Sequence, residues 1–275
     1  MMKITFLGGG NMANALIGGL RKQGYSATGI QVIEPLQENR EKLTAAFGVR
    51  CSTTIDAAAL DCDALILAVK PQQTREALAP LTGAFAGSLK TQLVISIAAG
   101  LRLTDISRWL GGYRQLVRCM PNTPALIGAG ITGLYADSAV GLKGRDTAEK
   151  ILRAVGGTLW IDDEAQMDTI TAISGSGPAY VFYFIEALQH AAQNLGIDAP
   201  AARQLAIETF TGAARLAEQS EEDVAVLRQR VTSKGGTTAA ALASFDADNI
   251  AAAILRGVQA AAERSRTLGE EMGKN

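Results

Sequence analysis

Two short glycine-containing segments, one followed by a carboxylate and one flanked by hydroxyls, have patterns suited to binding small anions and sugar hydroxyls. In Gly8-Gly9-Gly10-Asn11-Met12-Ala13 the glycines at Gly8 and Gly10 and the small Ala13 follow the pattern G-x-G-x-x-A. Gly8 permits a tight turn, Gly10 lets the backbone approach a pyrophosphate, and Ala13 lets a helix pack closely on the preceding strand. A helix opening at Asn11 and Met12 presents free N–H groups to anionic oxygens. Alone the pattern is weak; its place between a strand and a helix strengthens it. Glu34 stands about 20 residues further on, at the end of the second strand candidate, where a carboxylate accepts from an unphosphorylated ribose and favours NADH over NADPH. A solvent-facing Glu at a strand end is the competing reading.

The second segment is Ser233-Lys234-Gly235-Gly236-Thr237-Thr238. Adjacent glycines let backbone N–H groups converge on one anion, and a helix starting after Gly236 adds its own N-terminal donors. That suits a small carboxylate. A helix cap with a flexible turn would use the same residues. Lys70, in Val69-Lys70-Pro71, is the obvious candidate for a cationic acid, and cofactor positioning suits it equally. His190, the single histidine, lies in the apolar run from Phe182 to Leu195 and reads as a packed or surface residue. Cys51, Cys62 and Cys119 are scattered, without the pairing of a zinc or redox site. They are expected to be buried thiols, and no metal site is expected.

These segments need elements to position them. Lys3–Leu7, a helical pattern over Met12–Gln23, Ile30–Glu34 and a helix over Gln37–Phe47 form a βαβ beginning. Further strand candidates are Ala64–Val69, Leu93–Ile97, Gln115–Met120, Ile131–Tyr135 and Thr158–Ile161. The apolar run Leu65-Ile66-Leu67-Ala68-Val69 suits a strand covered on both faces. After about Asp162 strand signals vanish and alanine-rich helical patterns take over. Ser176-Gly177-Pro178 can open a helix, another starts after Asp198 near Pro200, and Ser220-Glu221-Glu222-Asp223 caps a helix before Val224. The predicted fold is α/β, a Rossmann-type dinucleotide-binding domain over residues 1–161 followed by an all-helical domain over 162–275.

The 275 residues are 48% hydrophobic and 19% charged, enough for a substantial core in two units. A net charge of -1 gives no excess of positive charge for nucleic acid or an anionic membrane. Met1 to Gly10 lacks a cationic start and a cleavage site, so the cytoplasm is the expected location. Ile250–Leu255 stops at Arg256, well short of the ~20 apolar residues of a membrane helix. The many alanines and glycines let helices approach closely, which makes association with another copy an expectation.

Together the motifs resemble pyrroline-5-carboxylate reductase over essentially the whole chain. The resemblance is carried by Gly8 to Ala13, Ala68-Val69-Lys70-Pro71, Ser96-Ile97-Ala98-Ala99-Gly100, Arg118-Cys119-Met120-Pro121-Asn122-Thr123-Pro124, Ser174-Gly175-Ser176-Gly177-Pro178-Ala179 and Val231 to Thr238. The last is the most specific. It implies an NAD(P)H-dependent reduction of a cyclic imine to proline. Ser233 and the backbone of Gly235, Gly236 and Thr237 would hold the substrate carboxylate, with Thr238 near the ring nitrogen. Ala68, Val69, Lys70, Pro71, Ala98, Ala99 and Gly100 would line the crevice near the nicotinamide. The family implies NADPH, with NADH as the other donor. It also implies a homodimer through the helical domain, often built into larger rings.

Two residues depart from the family pattern. Lys234 replaces a common proline and either loosens the loop or lends charge to the carboxylate site. Glu34 replaces a small hydroxyl residue and should repel a 2′-phosphate, unless Arg40 turns inward to compensate. A protonated imine is already a good electrophile, so holding it in a near-attack geometry is the main task. Thr238 is expected to hydrogen-bond its nitrogen, steadying the protonated imine or relaying a proton from water. The enzymatic rival is a β-hydroxyacid dehydrogenase, which needs a lysine early in the helical domain; Ser174 to Leu188 has none. A noncatalytic dinucleotide sensor is the alternative from another class, against which the intact Ser233 to Thr238 loop speaks.

Overall fold

The structure is a computed structural model that describes residues 2–274. Eight strands, β1 (Ile4–Leu7), β2 (Ile30–Ile33), β3 (Arg50–Ser52), β4 (Ala64–Leu67), β5 (Leu93–Ser96), β6 (Leu116–Met120), β7 (Gly130–Ala136) and β8 (Gly156–Trp160), form one sheet. Their order is β3-β2-β1-β4-β5-β6-β7-β8. β1 to β6 pair in parallel, β7 runs antiparallel to β6, and β8 runs parallel to β7.

The reason for three layers is visible in the strands. Successive side chains point to opposite faces, and here both faces are apolar. Phe6, Val32, Ile66 and Ile95 pack with Ala13, Leu16, Ile17 and Leu20 of the helix Asn11–Lys22. Leu7, Ile33, Leu65, Leu67 and Val94 pack on the other side with Leu78, Leu81, Leu103 and Ile106. The run Leu65 to Leu67 is therefore covered on both faces, as its composition predicts.

Two features of the sheet differ from the sequence reading. β3 is a three-residue edge strand beginning with Arg50, too short and too polar to give a strand signal. The reversal at β7 follows from its connection. A parallel return needs a crossover of a dozen or more residues, and Pro121 to Ala129 offers only one tight 3-10 segment, Thr123–Ile127, closed by Gly128 at φ 76.

Contacts divide the chain into two compact units. One comprises the described residues through Ser176 and those from Ala261 onward; the other is Gly177–Ala260. The helix Gln166–Ile170 and the last turns of the helix Ile250–Gly273 belong to the first unit. There Ser265 Oγ donates to Asp168 Oδ1 at 2.7 Å, and Gly269 lies against the backbone of Gly100. Helices Gly177–Asn194, Ala199–Gln219, Val224–Arg230 and Thr237–Ala247 make up most of the second unit. Asp198 and Asp223 cap two of them, accepting from Ala201 N at 2.9 Å and Ala225 N at 2.7 Å. Ser220 Oγ accepts from Glu222 N.

Within the second unit only Ala202 and Ala206 are buried, while Phe182, Tyr183, Leu195 and Phe245 are exposed. Among the described residues, no single helix is long and apolar enough to cross a membrane. The cysteine expectation needs correction. Cys119, on a central strand, is buried, but Cys51 on the edge strand and Cys62 in the loop before β4 are only partly so.

Candidate functional site

The carboxyl ends of β1, β2, β3 and β4 open into a cleft of about 630 Å³. It lies where the strand order turns outward in both directions from β1 and β4, the place where open α/β sheets bind ligands. Gly8, Gly9 and Gly10 enter it from β1, Glu34 from β2, Thr53, Thr54 and Ile55 after β3, and Ala68, Val69 and Lys70 after β4.

The three glycines are needed for different reasons. Gly8 has φ +104, and a Cβ there would stand 2.6 Å from the Ala68 carbonyl oxygen. At Gly9 it would meet Leu43 at 2.7 Å. At Gly10 it would meet nothing within 4 Å, so the fold itself does not require glycine there. Gly10 is the extended N-cap of the helix Asn11–Lys22, and no side chain caps its first-turn N–H groups. Open space over Gly10, bare donors behind it and a buried Ala13 fit a dinucleotide pyrophosphate. Asn11, Met12 and Ala13 do not line the cleft.

Glu34 is buried, 6% exposed. Its carboxylate turns back on the glycine loop: Oε2 accepts from Gly9 N at 2.8 Å and Oε1 from Leu36 N at 2.9 Å. Arg40, half-buried, donates from Nη1 to the carbonyls of Glu34 and Pro35 at 2.8 and 2.6 Å. Its helix does turn it toward the end of β2.

Lys70 lies in the cleft, exposed, just before the 3-10 turn Pro71–Gln73. Pro71, Ala98, Ala99 and Gly100 are not part of the cleft lining. Gly100, at φ 83, ends the β5 loop against the C-terminal helix. His190 is exposed on its helix. No group of three or more His, Cys, Asp or Glu residues among those described could hold a metal.

In the second unit, Gly236 N donates to Ser233 O at 3.0 Å and closes a turn with Gly235 at φ 73. Gly236 then caps the helix Thr237–Ala247 in extended conformation, with no side-chain cap on the first-turn N–H groups. A Cβ at Gly236 would run into Ser233 Oγ. The hydroxyl, the left-handed glycine and the bare helix start are thus gathered in one small loop, with Thr238 half-buried in the first turn. Its donors suit a carboxylate.

The segment Arg118–Pro124, whose residues alone give it no role, is a brace in the structure. Arg118 is buried and pairs with Glu164 at 3.1 Å; Glu164 also accepts from Leu103 N at 2.8 Å. Asn122 accepts from Ile131 N at 2.9 Å and donates to Ser174 O at 3.2 Å. Ser174 sits in the widened turn Thr171–Gly175, where Ser176 N bonds five residues back to Thr171 O. Such turns cluster near functional sites. Thr53, Thr54, Asn39, Gln73 and Glu76 also line the cleft; the loop after β3 escaped notice because β3 did.

A family model described as pyrroline-5-carboxylate reductase dimerisation matches residues 164–268, and one described as NADP oxidoreductase coenzyme F420-dependent matches residues 3–100. A pyrroline-5-carboxylate reductase of Pseudomonas aeruginosa is 44% identical, covering 99% of this chain and 98% of its own. The solved structure of a pyrroline-5-carboxylate reductase from Coxiella burnetii aligns with TM-score 0.90 at 40% identity, over 97% of this chain and 98% of that one. The Plasmodium falciparum enzyme, solved with NADP bound, aligns with TM-score 0.84 at 28% identity, over 98% of both chains.

Proposed function

The chain belongs to the pyrroline-5-carboxylate reductase family, and from that premise we propose that it reduces pyrroline-5-carboxylate to proline, the last step of proline synthesis. The observation that carries this reading is the Ser233 to Thr238 loop, whose left-handed Gly235 and uncapped helix start suit the carboxylate of a small imino acid. A bound reduced nicotinamide dinucleotide supplies the hydride. The glycine turn at Gly8 and Gly10 and the first turn of the helix at Asn11, Met12 and Ala13 would hold its pyrophosphate, with Ala68 to Lys70 bordering the cleft. Pro71 and Ala98 to Gly100 keep their assignment to the nicotinamide end on resemblance alone.

The substrate enters as the protonated imine. Ser233 and the N–H groups of Gly235, Gly236 and Thr237 fix its carboxylate, and the Thr238 hydroxyl accepts from the ring N–H. Hydride adds to the ring carbon of the double bond, the π pair moves to nitrogen, and the resulting amine takes a proton from water. Orientation rather than acid strength supplies the rate, since fixing both partners in a near-attack geometry replaces a bimolecular encounter. Lys70 is the rival proton source. A Lys70→Met variant that binds both ligands but fails to turn over would promote it.

NADPH is the donor the family resemblance favours, with NADH as the other. The exposed apolar helices of the second unit, together with the dimerisation model that matches them, support a homodimer, which could assemble further into a ring. The cytoplasm is the proposed location. The test is turnover of pyrroline-5-carboxylate by purified protein with each reduced cofactor. Consumption with proline as product is expected; oxidation of 3-hydroxy acids instead would favour a β-hydroxyacid dehydrogenase, and cofactor binding without turnover a sensor.

A further inference from the structure

Two opposite charges meet at the end of β2, Glu34 on the strand end and Arg40 reaching it from the helix Gln37–Phe47, and backbone groups fix both. The Glu34 carboxylate is pinned by Gly9 N–H on one oxygen and by Leu36 N–H on the other. Each carboxylate oxygen has two acceptor sites, so one site on each remains for a ligand in the cleft that Glu34 lines. Two adjacent ribose hydroxyls are donors and match that pair. A 2′-phosphate is an acceptor and an anion, and it matches neither. Because both oxygens are held and the residue is buried, the carboxylate cannot swing away to make room.

Arg40 is the group that could offset this. Both hydrogens of its Nη1 are used by the carbonyls of Glu34 and Pro35. That leaves Nη2 and Nε as donors on a guanidinium anchored beside the strand end. Glu34 lines the cleft and Arg40 does not, so of the two charges only the carboxylate borders a ligand placed there.

We infer that Glu34 and Arg40 are opposed specificity determinants, Glu34 prevailing to make NADH the preferred donor and Arg40 becoming a 2′-phosphate ligand once Glu34 is removed. This deepens the proposed reading, and rests on it only in taking the Gly8 to Ala13 turn as a dinucleotide site. Glu34 has a second task, tying the glycine turn of β1 to the turn after β2. A bracing role alone would affect both cofactors equally, whereas a specificity role changes their ratio.

The experiment is calorimetric titration with NADH and NADPH, and with adenosine 5′-monophosphate and adenosine 2′,5′-bisphosphate, which report on the adenosine end without any turnover. The wild type should bind NADH roughly tenfold or more tighter than NADPH, a difference typical of one hydrogen-bonded charge. Glu34→Ser should reverse the order, and Glu34→Ser with Arg40→Leu should lose the gain in NADPH affinity. Equal binding of both cofactors by the wild type, or tighter NADPH binding, overturns the inference. So does a Glu34→Ser variant that weakens both by one factor. The wild-type comparison stands even if a variant fails to fold. If NADH preference holds while neither cofactor supports imine reduction, the proposed reaction falls and this inference survives.

Discussion

A methyl group added at Gly8 and one added at Gly10 should have opposite consequences. At Gly8 the backbone is left-handed, φ +104, and the new Cβ would stand 2.6 Å from the Ala68 oxygen, 2.7 Å from its carbon and 2.9 Å from Val69 N. All three are backbone atoms at the end of β4, and Gly8 N is itself bonded to Ile33 O at 2.8 Å. No flexible side chain can yield. The conformational penalty is ~1–2 kcal/mol and forced repacking adds ~1–3 kcal/mol, so Gly8→Ala should lose about 2–5 kcal/mol of stability. At Gly10 the backbone angles are ordinary, φ -72 and ψ -173, and the space is open. Gly10→Ala should lose no more than about 1 kcal/mol, the difference between Gly and Ala at a helix N-cap. Its methyl occupies the approach to the helix N-terminus, so cofactor affinity should still fall by at least about tenfold. Urea unfolding followed by circular dichroism gives the first quantity and calorimetric titration with NADH the second. A Gly10→Ala variant that binds cofactor like the wild type would show that Gly10 does not face the pyrophosphate, and a Gly8→Ala variant with unchanged stability would show that the Ala68 backbone can yield.

Other expectations concern the loop, the brace and alkaline pH. Thr238→Ala should lower kcat/KM roughly tenfold to a hundredfold, the usual worth of a hydrogen bond to a charged group, while Thr238→Ser keeps most of it; steady-state kinetics with unchanged values for Thr238→Ala would dismiss the contact. Asn122→Ala removes the acceptor of Ile131 N and the donor to Ser174 O and should cost about 1–3 kcal/mol, seen as a lower thermal midpoint. Burial pushes the Cys62 thiol from 9.0 up to about 11 and the Tyr113 hydroxyl from 10.0 up to about 12. The folded protein therefore keeps both neutral where the unfolded chain ionises them. Their contribution is complete below about pH 9 and is lost as pH rises through the folded values. Cys62→Ala should flatten the part of that decline between pH 9 and 11, measured as urea midpoints along a pH series.

Much of the fold is legible in the residues because the hydrophobic patterns are long and consistent. The helix Gln37–Phe47 has the bounds its pattern predicts, and the loss of strand signals after Asp162 agrees with a sheet whose last strand ends at Trp160. β3 and the reversal at β7 were hidden for physical reasons. A three-residue edge strand carries too little pattern, and strand direction depends on what a connection can span rather than on the strand's own residues. The glycine turn and the Ser233 loop were legible because positive φ at Gly8 and Gly235 admits few other residues. The brace formed by Arg118, Asn122 and Glu164 was not, because it joins positions far apart in sequence. The orientation of the Glu34 carboxylate, folded back onto Gly9, likewise depends on a contact that no local pattern specifies.

Isotope transfer reports on hydride addition to the carbon–nitrogen double bond of pyrroline-5-carboxylate. The purified protein is supplied with the imine and with NADH or NADPH deuterated at the transferable position of the nicotinamide, and the product is analysed by mass spectrometry and proton NMR. The expected product is proline carrying a single deuterium on the ring carbon that had been doubly bonded to nitrogen. Unlabelled proline, or no proline while the cofactor binds, would contradict it.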